Sequence, residues 1–100
     1  MEVIWSPRAE LRLIEIADYI ASNNPERARE FVLRLLHSVD HLIEFPESGS
    51  LVPENGGFRQ VVLQGYRIIY RIRLVRVEIV TVISPGQNAL LNDHDTPPKK

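Results

Sequence analysis

Two regimes of hydrophobic spacing divide the chain. Up to Pro46 the apolar residues recur every three or four positions, and from Phe58 onward they recur every two. Val3 to Trp5 reads as a short strand, ended by Ser6-Pro7. Ser6 suits a helix N-cap and Pro7 the first helical position. Ala9, Leu13, Ile16 and Ile20 then form one apolar helix face, widened by Leu11, Ile14, Ala17 and Tyr19. Asn24-Pro25 repeats the start signal. Ala28, Phe31, Val32, Leu35, Val39 and Leu42 line the second helix, and Pro46 stops it. The spacing predicts helices over 7–22 and 25–45, antiparallel because their connection is short.

Residues 46–57, with Pro46, Gly49, Pro53, Gly56 and Gly57, read as a loop, long for its class. Three strands follow, over 58–63, 66–73 and 77–83, with Gln64-Gly65 as a turn signal. In the second of these, Tyr66, Ile68, Tyr70 and Ile72 face one way, and Arg67, Ile69, Arg71 and Arg73 the other. The apolar run from Val77 to Ile83 suits a central strand. The fold class is therefore α+β. An N-terminal strand and an antiparallel two-helix hairpin pack on an antiparallel three- to four-stranded sheet. One domain over 1–91 and a flexible polar tail over 92–100 complete the expected layout.

Composition sharpens this picture at two points. The net charge is only −1, yet residues 58–83 carry Arg59, Arg67, Arg71, Arg73 and Arg76 against Glu78 alone. A locally basic sheet face built from arginine suits carboxylate or phosphate recognition. The chain has no cysteine, so disulfides and thiolate metal sites are excluded. No apolar run approaches the roughly 20 residues that span a bilayer, and the strand-like run at the start leads to the expectation of no secretory signal. A cytoplasmic protein is expected.

Candidate chemistry is sparse. His37 and His41 lie one turn apart on the second helix beside Asp40, with no third ligand at motif spacing, and His94 lies in the tail. They read as solvent-facing side chains, so no metal is expected. No nucleotide loop or Ser-His-Asp pattern appears, and no cofactor is expected. Tyr66, Tyr70 and Trp5 read as core, although a tryptophan on an edge strand can also meet a partner. Arg67, Arg71 and Arg73 share a strand face, which core filling does not explain. They are candidates, with Trp5, for binding an acidic partner segment or nucleic acid.

The ordered set Trp5-Ser6-Pro7, Ala9, Leu13, Ile16, Tyr19-Ile20, Asn24-Pro25, Ala28, Leu42, Pro46, Gly49, Phe58-Arg59 and Tyr66-Arg67-Ile68-Ile69-Tyr70 resembles the RelE/ParE toxin superfamily, its ParE-like branch in particular. The resemblance spans residues 3–83. It implies a two-helix hairpin on an antiparallel sheet and a cognate antitoxin that silences the toxin in a hetero-oligomer. It also implies one of two targets. ParE-like members inhibit DNA gyrase, and RelE-like members cut messenger RNA on the ribosome. Arg67 falls where a ribonuclease member carries a catalytic arginine, and Arg59 near a second basic position. The loop after the last strand, Ser84-Pro85-Gly86-Gln87-Asn88, departs from both branches: it has neither the basic residues of the nucleases nor the histidine and arginine common in ParE members. The resemblance thus points to a gyrase-directed binding module. A ribosome-dependent ribonuclease and a non-toxic member that only binds its antitoxin are the alternatives.

Overall fold

The structure, a computed structural model, describes residues 1–87. The expected tail over 92–100, the domain limit at 91, Asn88 and His94 lie outside the described residues. The elements are β1 (Glu2–Trp5), α1 (Pro7–Ala21), α2 (Pro25–Glu44), β2 (Ser50–Val52), β3 (Asn55–Leu63), β4 (Tyr66–Arg73) and β5 (Arg76–Ile83). They form one five-stranded sheet in the order β1-β5-β4-β3-β2.

Both helices begin at the predicted caps. The Ser6 hydroxyl accepts from the Ala9 N–H at 3.0 Å and donates to the Val80 carbonyl at 2.7 Å. The cap therefore also ties α1 to the central strand. Asn24 accepts from the Arg27 N–H at 3.2 Å. Ala9, Ile16, Phe31, Leu35, Val39 and Leu42 are buried against Ile68, Tyr70, Val77, Ile79 and Val82. Trp5, Leu13, Tyr66 and Ile72 pack around this cluster. Leu11, Ile14 and Tyr19 do not widen the buried stripe: they are exposed. One flank of α1 meets the sheet and α2 already occupies the other, so these positions point outward.

Two features of the sheet differ from expectation. Its strands number five rather than three or four, because the presumed loop over 46–57 contains β2 and the start of β3. Leu51 pairs with Arg59, and Val52 with Asn55, so residues 56–58 bulge out of the ladder. Glycines at 56 and 57 and Pro53 read as loop, yet they serve here a tight and irregular hairpin. The sheet is also not wholly antiparallel. β1 runs parallel to β5, which α1, α2 and β2–β4 permit by supplying the long connection that parallel neighbours need.

The β3–β4 turn places Gln64 and Gly65 at φ 52° and 85° between the paired Leu63 and Tyr66. That is the geometry favoured for a two-residue hairpin, with glycine at the second position. On β5 an extra residue, Val80, sits between the pairs Ile69–Thr81 and Tyr70–Ile79. This bulge lets Val77, Ile79 and Val82 face the helices while Glu78, Val80 and Ile83 face away. On the far side the β2–β3 hairpin supplies Val52 and Phe58, which bury Ile69, Val80 and Ile83 in a second small cluster.

Candidate functional site

The far face of the sheet, opposite the helices, holds the arginines of β4. Alternation along the strand turns Arg67, Ile69, Arg71 and Arg73 to this side. Because Ile69 is buried under Val52 and Phe58, the arginines fall into two groups rather than one row.

At one end, Arg67 meets the β2–β3 hairpin. Its Nη1 and Nη2 donate to the two Glu54 carboxylate oxygens at 3.0 and 2.9 Å, and its Nε donates to the Gln60 side-chain oxygen at 2.6 Å. This is a bidentate fork with all three guanidinium nitrogens engaged. The hydrogen bond from Arg67 holds the exposed Glu54 carboxyl below its ordinary value of 4.5. Glu54 was hidden to sequence reasoning because it sat in the presumed loop.

At the other end, Arg71, Arg73 and Arg76 converge on Glu78. Arg71 lies directly across the ladder from Glu78, and Arg73 across the turn from Arg76. Glu78 is 2 % exposed. Its Oε1 accepts from Arg71 Nε at 3.1 Å, and its Oε2 accepts from Arg76 Nε at 2.9 Å. Arg73 Nε stands 3.8 Å from Oε1, an ion-pair contact without a hydrogen bond. The Arg71 guanidinium also lies 5.9 Å from the centre of the Phe58 ring. A cross-strand partner for Glu78 follows from period-two reasoning. Arg76 joins the cluster because β5 begins one residue earlier than its apolar run.

Arg59 belongs elsewhere. It pairs with Tyr70 across the ladder, and its Nη1 donates to the carbonyls of Gly49 at 2.9 Å and Glu47 at 3.3 Å. Tyr70 is fully buried; its hydroxyl accepts from the Gly49 N–H and donates to the Pro46 carbonyl. Arg59 and Tyr70 together pin the chain between α2 and β2. The structure therefore does not bring Arg59 and Arg67 to one place. Trp5 is half-buried in the helix-side cluster, across the sheet from the arginines.

The histidines also stay apart from Arg67. His37 and His41 are exposed on α2 and line a groove with Ser50 and the β3 residues Gln60, Val61 and Val62, and His41 stacks on Phe45. No group of three potential metal-ligating side chains occurs among the described residues. The segment after β5 is fixed by a residue that pattern reading passed over. Arg12 of α1 donates to the Val82 carbonyl, the Ser84 hydroxyl and the Gln87 side chain at 3.0–3.1 Å. Pro85 lies against Gly65, where an added Cβ would come within 3.1 Å of it. Among the described residues no helix is long and apolar enough to cross a membrane.

Known proteins are similar to this chain in sequence and in fold. The family profile described as the ParE toxin of type II toxin-antitoxin system, parDE, matches residues 3–89. The toxin RelE2 of Caulobacter vibrioides is 37% identical over 82 residues, covering 81% of this chain and 91% of that protein. The Sinorhizobium fredii protein Y4kP is 38% identical over 84 residues, covering 83% and 86% of the two chains. A chain of the chromosomal ParDE system from P. aeruginosa superposes with a TM-score of 0.74 at 23% identity, over 86% of this chain and 97% of that one.

Proposed function

The chain belongs to the ParE/RelE superfamily of type II toxin–antitoxin toxins, and from that premise we propose that it acts by binding rather than by cutting: its target is DNA gyrase, and its antitoxin engages the basic far face of the sheet at Arg71 and Arg73, with Arg67 held by Glu54 and Gln60 beside that contact. One observation carries the choice between the two targets. The Arg67 guanidinium is committed to Glu54 and Gln60 on a face that, among the described residues, holds no histidine and no lysine.

Cleavage of RNA by its 2′-hydroxyl needs a proton acceptor, a proton donor and positive charge over the phosphorane. Arginine supplies the charge but hardly titrates. Among the described residues, Glu54 and Glu78 on this face are both tied to arginines, and Glu2, also on this face, lies beside Arg76 at the opposite end of the sheet from Arg67. Arg59 supports the loop before β2 and stands on the other side of β4 from Arg67. Gyrase is carried over from the resemblance to ParE-type toxins, which membership of the ParE profile supports without naming a target.

Two assays on purified, antitoxin-free protein test the reading. One follows gyrase supercoiling and cleaved-complex formation, and the other follows cleavage of a message programmed into ribosomes. Inhibited supercoiling with an intact message is expected. Codon-level cleavage that disappears in Arg67→Ala, with normal gyrase activity, would replace this reading with the ribonuclease. Silence in both assays would favour a member that only binds its antitoxin.

A further inference from the structure

The tip of the β4–β5 hairpin breaks a local rule. Leu74 and Val75 form its two-residue turn, and Leu74 holds a φ of 42°, in the left-handed region. Turns of this kind favour glycine or asparagine there, and a leucine pays a steric penalty. Leu74 gains no packing in return: it is 96% exposed, and Val75 is 76% exposed. Two bulky aliphatic side chains are thus presented to solvent, one of them from a backbone conformation that disfavours it.

Beside them stands the Glu78 cluster. Three guanidiniums against one carboxylate leave a net charge of plus two. Arg71 and Arg76 hydrogen-bond to Glu78, whereas Arg73, immediately before Leu74, keeps only the 3.8 Å contact. Glu2, beside Arg76 in register on β1, forms no ion pair with it. Arg73 therefore retains a donor fork for an incoming anion, next to an aliphatic surface. A phosphate backbone would use the charge and leave Leu74 and Val75 uncovered. A peptide carrying both acidic and aliphatic side chains would use both.

We propose that the β4–β5 hairpin end is a docking site for an acidic, aliphatic segment of the antitoxin, with a carboxylate on Arg73 and an apolar side chain on Leu74 and Val75. The proposal rests on the toxin reading above, which the supercoiling assay of the unsubstituted chain checks separately. Its own test is titration of the full chain with a short synthetic peptide of Leu, Glu and Ser, followed by amide chemical shifts. The expected result is saturable shifts at residues 73–76. Arg73→Gln and Leu74→Asn should each weaken binding about tenfold. So should replacing Glu by Gln or Leu by Ser in the peptide. Asparagine suits the left-handed turn, so Leu74→Asn should melt no lower than the parent, which separates lost contact from lost folding. Equal binding by the parent and both variants, shifts confined to another surface, or no binding would overturn the proposal. A single-stranded oligonucleotide that displaces the peptide from residues 73–76 and binds Leu74→Asn undiminished would assign the surface to nucleic acid instead.

Discussion

Glu78 sits at the centre of the charge arrangement on the far face. Its side chain is 3% exposed, and its carboxylate neutralises part of three neighbouring guanidiniums, two of which would otherwise face each other across the turn. Glu78→Gln keeps the shape and removes the charge. It should cost about 3 kcal/mol in urea unfolding, because the arginines lose their buried counter-charge. Tyr70 carries a different load. Its hydroxyl closes the segment before β2 by accepting from Gly49 and donating to Pro46. Tyr70→Phe should lower stability by about 1–3 kcal/mol, read as a lower urea midpoint at unchanged slope. Gly49 has no room for a side chain, since a Cβ would lie 2.6 Å from both the Gln60 carbonyl and the Tyr70 hydroxyl. Burial raises the Tyr70 pKa above its ordinary 10.0, so the folded state favours the neutral phenol. The unfolded chain ionises first, at about 10. The phenol's contribution is therefore complete below that pH and is lost as pH rises through the higher folded value. Alkaline unfolding of Tyr70→Phe should be less steep than that of the parent.

Elements with strong punctuation were legible from sequence, and elements with weak punctuation were not. Ser6-Pro7 and Asn24-Pro25 mark the two helix starts, and Ile16, Leu35 and Val39 are buried as the three-and-four spacing requires. Ser6 adds what spacing cannot reveal, a hydrogen bond to Val80 across 74 positions of sequence. Ser6→Ala should therefore cost more than an ordinary cap, about 2 kcal/mol rather than 1, with Asn24→Ala as the comparison in thermal melts. The period-two pattern of β4 gave the correct face for every residue from Tyr66 to Arg73. It could not reveal that Ile69 would be buried as well. That burial depends on Val52 and Phe58, and so on a hairpin whose glycines and proline read as loop. The same gap hid Glu54 and made Arg67 look unpartnered. Parity was legible, but pairing across distant strands depends on register, which local pattern does not fix.

At the scale of the whole molecule, apolar side chains stand exposed among the described residues, and two such surfaces bear on partner binding. One is the outer side of the helix pair, where Leu11, Ile14, Tyr19, Leu33 and Leu36 are exposed. The other is the tip of β4–β5. A chain of 100 residues buries a modest share of its surface, so apolar area left outside weighs heavily on its stability. Type II toxins of this superfamily have an antitoxin partner, and such a partner, by binding the folded state, draws the equilibrium away from the unfolded one by mass action. At an antitoxin concentration a hundredfold above the dissociation constant, the gain is about 2.7 kcal/mol. For a domain of this size that gain corresponds to a rise in melting temperature of at least about 10 °C. Scanning calorimetry of the chain alone and with increasing antitoxin should show this rise, growing with the logarithm of concentration. If Arg71 and Arg73 form the contact, their joint change to glutamate should reduce the rise far more than the same change at Arg27 and Arg29 on α2. The latter pair lies on a helix, remote from the basic face, and serves as the charge-matched control. A larger loss from Arg27 and Arg29 than from Arg71 and Arg73 would move the antitoxin off the sheet and onto the exposed apolar side of the helices, where charge reversal on α2 would be felt.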